Sequence, residues 1–94
     1  MDIQIQSLHF KASEQLQDFI REKVGKLISH NDSIIRAEVT LSQGGSGDPE
    51  NQYCEITLFV PGYNYFAKKN AATYETAITR TVHAVHEIMR RAKD

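Results

Sequence analysis

The stretch IRAEVTLSQGGSGDPENQYCEITLFVPG, residues 35–62, decides the fold. Two runs alternate apolar and polar side chains on either side of a polar segment. In the first, Ile35, Ala37, Val39 and Leu41 point one way and Arg36, Glu38 and Thr40 the other. In the second, Cys54, Ile56, Leu58 and Val60 oppose Glu55 and Thr57. A period of two is that of a strand with one buried face. The segment from Ser42 to Asn51 reads as a hairpin loop, mobile at its tip. Its glycines do not form a phosphate cradle, because no Lys-Ser/Thr pair follows and the loop leads into a strand. Pro61-Gly62 is a turn signal, Pro fixing φ and Gly supplying a positive φ. The chain then returns as a short fourth strand, roughly Tyr63 to Lys69.

Toward the N-terminus, Asp2 to Leu8 alternates again, with Ile3 and Ile5 against Gln4 and Gln6. Ser13 is placed to cap a helix, with Glu14 in its first turn. Leu16, Phe19, Ile20, Val24, Leu27 and Ile28 make its apolar stripe, and the period breaks between Ser29 and Asp32. Lys23 falls inside that stripe and must lift its ammonium outward. Toward the C-terminus, Thr73 or Asn70 caps a longer helix whose stripe is Tyr74, Ala77, Ile78, Val82, Val85, Met89 and Ala92. Arg80, Arg90, Arg91 and Lys93 lie off this stripe and point outward.

The order is therefore β-α-β-β-β-α in an α/β two-layer (α+β) domain. A right-handed crossover through the first helix makes strands one and two parallel, and hairpins add three and four antiparallel. Each helix has one apolar stripe and the sheet one apolar face, so both helices are expected on one face of a four-stranded sheet.

Ninety-four residues suit a single domain, residues 1–94, with an ordinary soluble composition of 40% hydrophobic and 24% charged residues. No stretch is long enough to span a membrane, and the MDIQIQ start is not that of a secretory signal. One cysteine excludes an internal disulfide and fits a reducing cytoplasm. The net charge is −1, but it is unevenly shared. Tyr65 to Asp94 carries six Lys/Arg against three Asp/Glu, while the first 64 residues carry five against nine. Positive charge gathered on one terminal element suggests a surface that faces an anion.

Enzyme motifs are missing. Cys54 is in phase with the buried residues of its strand and reads as a structural thiol. His83 and His86 have no carboxylate or Cys at ligand spacing on their face, so neither a metal nor another cofactor is expected. The carboxylates are scattered, with no acid/base couple. Glu87 precedes Arg90 and Arg91 by three and four residues and is expected to pair with one of them.

Several stretches, taken in order, resemble the ribosome hibernation promoting factor family, which includes the ribosome-associated inhibitor proteins. They are Ile3-Gln4-Ile5, LQDFIREKVGKL from Leu16 to Leu27, YETAI from Tyr74 to Ile78, and the basic tail Arg90-Arg91-Ala92-Lys93. The resemblance implies a fold similar to a double-stranded-RNA-binding domain with an added N-terminal strand. It also implies a non-enzymatic cytoplasmic protein that sits in the mRNA/tRNA channel of the small ribosomal subunit and silences ribosomes when growth stops. Ribosomal RNA is then the partner, with no membrane and no small-molecule substrate. Carried over by position, the contact residues are Lys23 and Lys26 on the first helix and Arg90, Arg91 and Lys93 on the second. Lys68, Lys69 and Arg80 join them on charge and expected exposure. Ala84 and Glu87 stand where the family often has Lys or Arg, and with the mildly acidic total this implies weaker, less salt-dependent binding. The end at Asp94 resembles the short form, without the additional dimerizing domain. A different reading is a small protein-protein interaction module using its open sheet face or the aromatic hairpin of Tyr63, Tyr65 and Phe66. The plainer reading of these aromatics is hairpin packing.

Overall fold

The computed structural model describes residues 2–93, the side chain of Lys93 excepted. The elements are β1 (Ile3–Ser7), α1 (Glu14–Ser29), β2 (Arg36–Gln43), β3 (Gln52–Val60), β4 (Tyr63–Ala71) and α2 (Tyr74–Lys93). The sheet order is β1-β2-β3-β4. β1 and β2 are parallel, with Ile3 opposite Ala37 and Ile5 opposite Val39. The two remaining pairs are antiparallel, with Val39 opposite Ile56 and Ile56 opposite Ala67. Ala37, Val39, Leu41, Cys54, Ile56, Leu58, Ala67 and Ala71 are buried on one face of the sheet. Ile20, Val24, Leu27 and Ile28 of α1 and Ala77, Ile78, Val85 and Met89 of α2 complete that core. α2 packs on β3 and β4, while α1 packs on β1 and α2.

Local chemistry sets the element ends. Ser13 Oγ accepts a hydrogen bond from the Leu16 amide at 3.1 Å and starts α1. Thr73, not Asn70, starts α2, its Oγ1 accepting from the Thr76 amide at 3.2 Å. Gly62 has φ 77°, the left-handed conformation that the tight β3–β4 turn requires. The β2–β3 loop is pinned at its C-terminal end. Asn70 Nδ2 donates to the Glu50 carbonyl at 2.7 Å, and Arg80 reaches the Glu50 carboxylate at 3.1 Å.

Three side chains depart from the expected pattern. Ile35 is 59% exposed and Ile34 is buried instead. The β2 ladder begins at Arg36, so strand alternation does not govern Ile35. Ala92 is exposed, because the buried stripe of α2 stops at Met89. Thr81 joins that stripe, fully buried. Its hydroxyl lies 2.6 Å from the Ala77 carbonyl and 3.1 Å from the Cys54 carbonyl, so its polar atom is satisfied within the core.

Cys54 is fully buried, and burial pushes its thiol up from 9.0 to about 12. The native thiol stays neutral where the unfolded one ionises, so its stabilisation is complete below about pH 9 and is lost as pH rises from there toward 12. The expected slope over that window is about 1.4 kcal/mol per pH unit. Cys54→Ser should remove this alkaline component and cost about 1–3 kcal/mol at neutral pH. Denaturant melts of both proteins at pH 7, 9 and 10 check it.

Candidate nucleic-acid interface

Lys23, Lys26 and His30 are spaced three and four residues apart, so they share one side of α1 and its end. Thr79, His83 and His86 do the same on α2. The two helices lie side by side, and these six residues, with Leu27 and Val82, line a cleft of about 330 Å³ between them. Leu27 is buried and Val82 half-buried, which gives the cleft an apolar floor. Lys26, His30, His83 and His86 are exposed along its rim. Lys23 is half-buried within the α1 stripe, its ammonium lifted to 5.5 Å from the Phe19 ring centroid.

Two further depressions extend the cleft. One places Arg90 with His30 and His86. The other places Lys69 and Arg80 with Thr79 and His83. Because the histidines are shared, the cationic side chains form one band across the helix layer rather than separate spots. Arg91 lies along the other flank of α2, in a groove with Lys69, Glu87 and Ile88.

Partners differ among these cations. Lys26 Nζ is 3.7 Å from Glu22, an exposed pair of little strength. Arg80 donates to Glu50 at 3.1 Å and to the Asn70 carbonyl at 2.8 Å, so it also ties the β2–β3 loop to α2. Of the two arginines near Glu87, Arg90 takes it, with Nη2–Oε2 at 2.9 Å and Nε–Oε1 at 3.2 Å. That hydrogen bond holds the Glu87 carboxyl below its ordinary range and raises Arg90. Lys23, Lys69 and Arg91 have no carboxylate within 4.0 Å among the described residues. They are the cations most available to an anion.

Lys68 departs from the group. It sits opposite Glu55 on the outer face of the sheet, its ammonium 5.2 Å from the Tyr53 ring centroid. Successive strand residues point to opposite faces, so Lys68 and Lys69 leave β4 on different sides, although both border the groove beside Arg91. The side chain of Lys93 lies outside the described residues. Among the described residues, no group of three His, Cys, Asp or Glu side chains is placed to hold a metal ion.

The aromatic hairpin divides in the same way. Tyr63 and Tyr65 meet edge to face, with centroids 5.1 Å apart, and Tyr65 packs against the core. Phe66 is 50% exposed, but it occupies the opposite face from Tyr63 and Tyr65. The three do not make one patch. On the outer face, Arg36 covers the Phe59 ring at 3.8 Å, so part of that apolar surface is already occupied.

A four-stranded mixed sheet, covered on one face by two helices that carry a cationic band, defines a two-layer α+β protein with a cationic helix side. Residues 3–94 match the sigma 54 modulation protein / S30EA ribosomal protein family, and the chain belongs to that family. It is a family of ribosome-associated proteins. A ribosomal subunit interface protein from Coxiella burnetii has a similar structure, with TM-score 0.86 and 14% identity, over 99% of this chain and 98% of its own. The N-terminal domain of Thermus thermophilus Protein Y is similar with TM-score 0.80 and 23% identity, over 97% of this chain and 98% of its own. At these identities the likeness is one of fold. No curated protein matches the chain in sequence. Among the described residues, no helix is long and apolar enough to cross a membrane.

Proposed function

We propose that residues 1–94 act as one cytoplasmic ribosome-binding unit that occupies the mRNA/tRNA channel of the small ribosomal subunit and inhibits translation, keeping ribosomes in an inactive, hibernating state. The observation that carries this reading is the cationic band across α1 and α2 in a chain whose net charge is −1. Lys23, Lys26, Lys69, Arg80, Arg90 and Arg91 contact RNA phosphates, and Lys93 extends the series at the helix end. Contacts of this kind fix position without reading sequence, and RNA shape supplies the rest of the fit. The protein acts by filling space, and needs no cofactor or small-molecule substrate. The family membership supports the ribosome as partner. The division of Tyr63, Tyr65 and Phe66 between two faces removes the main support for an aromatic interaction patch.

Co-sedimentation with purified small subunits tests the proposal. Binding is expected near 50 mM salt, with a marked loss by about 200 mM, and it should compete with mRNA and tRNA loaded beforehand. Equal binding to empty and filled subunits would exclude the channel.

A further inference from the structure

Three histidines from two distant parts of the chain line one cleft. His30 follows the end of α1, and His83 and His86 stand one turn apart on α2. All three are exposed, so water and a ligand reach them. Lys23, Lys26 and an apolar floor of Leu27 and Val82 line the same cleft. We infer that His30, His83 and His86 are phosphodiester contacts, and that the α1/α2 cleft holds an RNA backbone more tightly when these imidazoles are protonated. This rests on the proposal that the helix layer meets RNA.

The chemistry follows from charge and donor count. Histidine is the side chain whose charge changes between about pH 5 and 8. Neutral imidazole offers one donor and one acceptor, whereas the protonated ring offers two donors, the form that suits phosphate oxygens. Lys23 and Lys26 from α1, Lys69 from β4, and Arg80 and Arg90 from α2 all border the same band. The nearby carboxylates are already engaged. Glu22 pairs with Lys26, and Glu87, which interacts electrostatically with His83, is bound by Arg90. A phosphodiester supplies the countercharge that the cleft lacks. Binding is then coupled to proton uptake, and affinity rises as pH falls.

The probe is oligouridylate with free 5′- and 3′-hydroxyls, whose phosphodiesters and bases keep one charge state across this range. Its affinity is measured at about pH 7.5 and 5.5 for the wild type and for the His30→Gln, His83→Gln, His86→Gln triple variant. The wild type is expected to bind roughly tenfold or more tightly at the lower pH, with a slope of up to about one log unit per pH unit for each proton taken up. The variant should vary by no more than about twofold over the same range, and keep the wild-type circular dichroism. Calorimetry in two buffers of different protonation enthalpy should show proton uptake on binding by the wild type alone. No oligouridylate binding at either pH, a flat wild-type profile, or a variant that keeps the pH response would each overturn the inference. The same titration on purified small subunits separates the two proposals. A pH-dependent grip on oligouridylate without subunit binding would leave the cleft and remove the ribosome. Subunit binding with a flat profile for both ligands would do the reverse.

Discussion

Ile78→Ala is expected to destabilise the protein by about 3–4 kcal/mol and to lower its Tm by roughly 15 °C. Ile78 is fully buried, in the stripe by which α2 packs on β3 and β4. Truncation removes its transfer free energy and leaves a cavity that flanking residues fill only in part. A loss of this size is a large fraction of the stability of a 94-residue protein. Ile88 provides the control. It sits on the same helix but is 43% exposed, and Ile88→Ala should cost no more than about 1 kcal/mol. Urea melts with unchanged m-values would show that both act on the folded state. A small effect at Ile78 would mean that α2 is held by something other than this stripe. Since α2 carries Arg80, His83, His86 and Arg90, its seating is what positions its share of the cationic band.

The fold was legible because each element announces its own period. Alternation in residues 37–41 and 54–60 marks paired strands, Pro61-Gly62 marks the turn, Ser13 marks the first helix start, and the second lies at Thr73 or Asn70 until the Thr73 hydrogen bond decides it. The failures are local. Ile35 continues the alternation by composition, but it precedes the first paired residue of the ladder, where the period no longer decides burial. Thr81 reads as polar, and only the carbonyls of Ala77 and Cys54, one of them 27 residues away in sequence, make its burial possible. The candidate site was legible in part. The off-stripe positions of Arg80, Arg90 and Arg91 mark them as outward cations, and the family resemblance adds Lys23 and Lys26, but sequence does not say which sides of two helices face one another. The approach of His30 to His83 and His86 is a property of packing, and spacing alone reveals only the pair on α2. Arg80 looked like a free cation, whereas its engagement with Glu50 depends on a contact spanning 30 residues. Lys68 was separated from Lys69 by the strand period itself, a signal that was present in the sequence.

Changing Lys23, Lys26, Lys69 and Arg91 together to Gln should weaken binding to the small subunit by roughly a hundredfold or more near 0.1 M salt. These four are chosen on structural grounds. Lys23, Lys69 and Arg91 lack carboxylate partners among the described residues, and the partner of Lys26 is distant and exposed. Gln keeps a long polar side chain at all four positions and a similar helix preference at the three on α1 and α2, so stability should change by about 1 kcal/mol at most. Each lost phosphate contact removes about 0.7–0.9 of a unit from the slope of log K against log salt. Four lost contacts therefore flatten that slope by about three units. The effect should be the same for any ribosomal RNA sequence, since phosphates carry none. A protein-protein module working through its open sheet face would keep both affinity and slope. The direct measurement is a salt titration of binding to purified small subunits, wild type beside the four-fold variant. A weaker and flatter line for the variant is the expected result, and superimposable lines would contradict RNA binding by the helix layer.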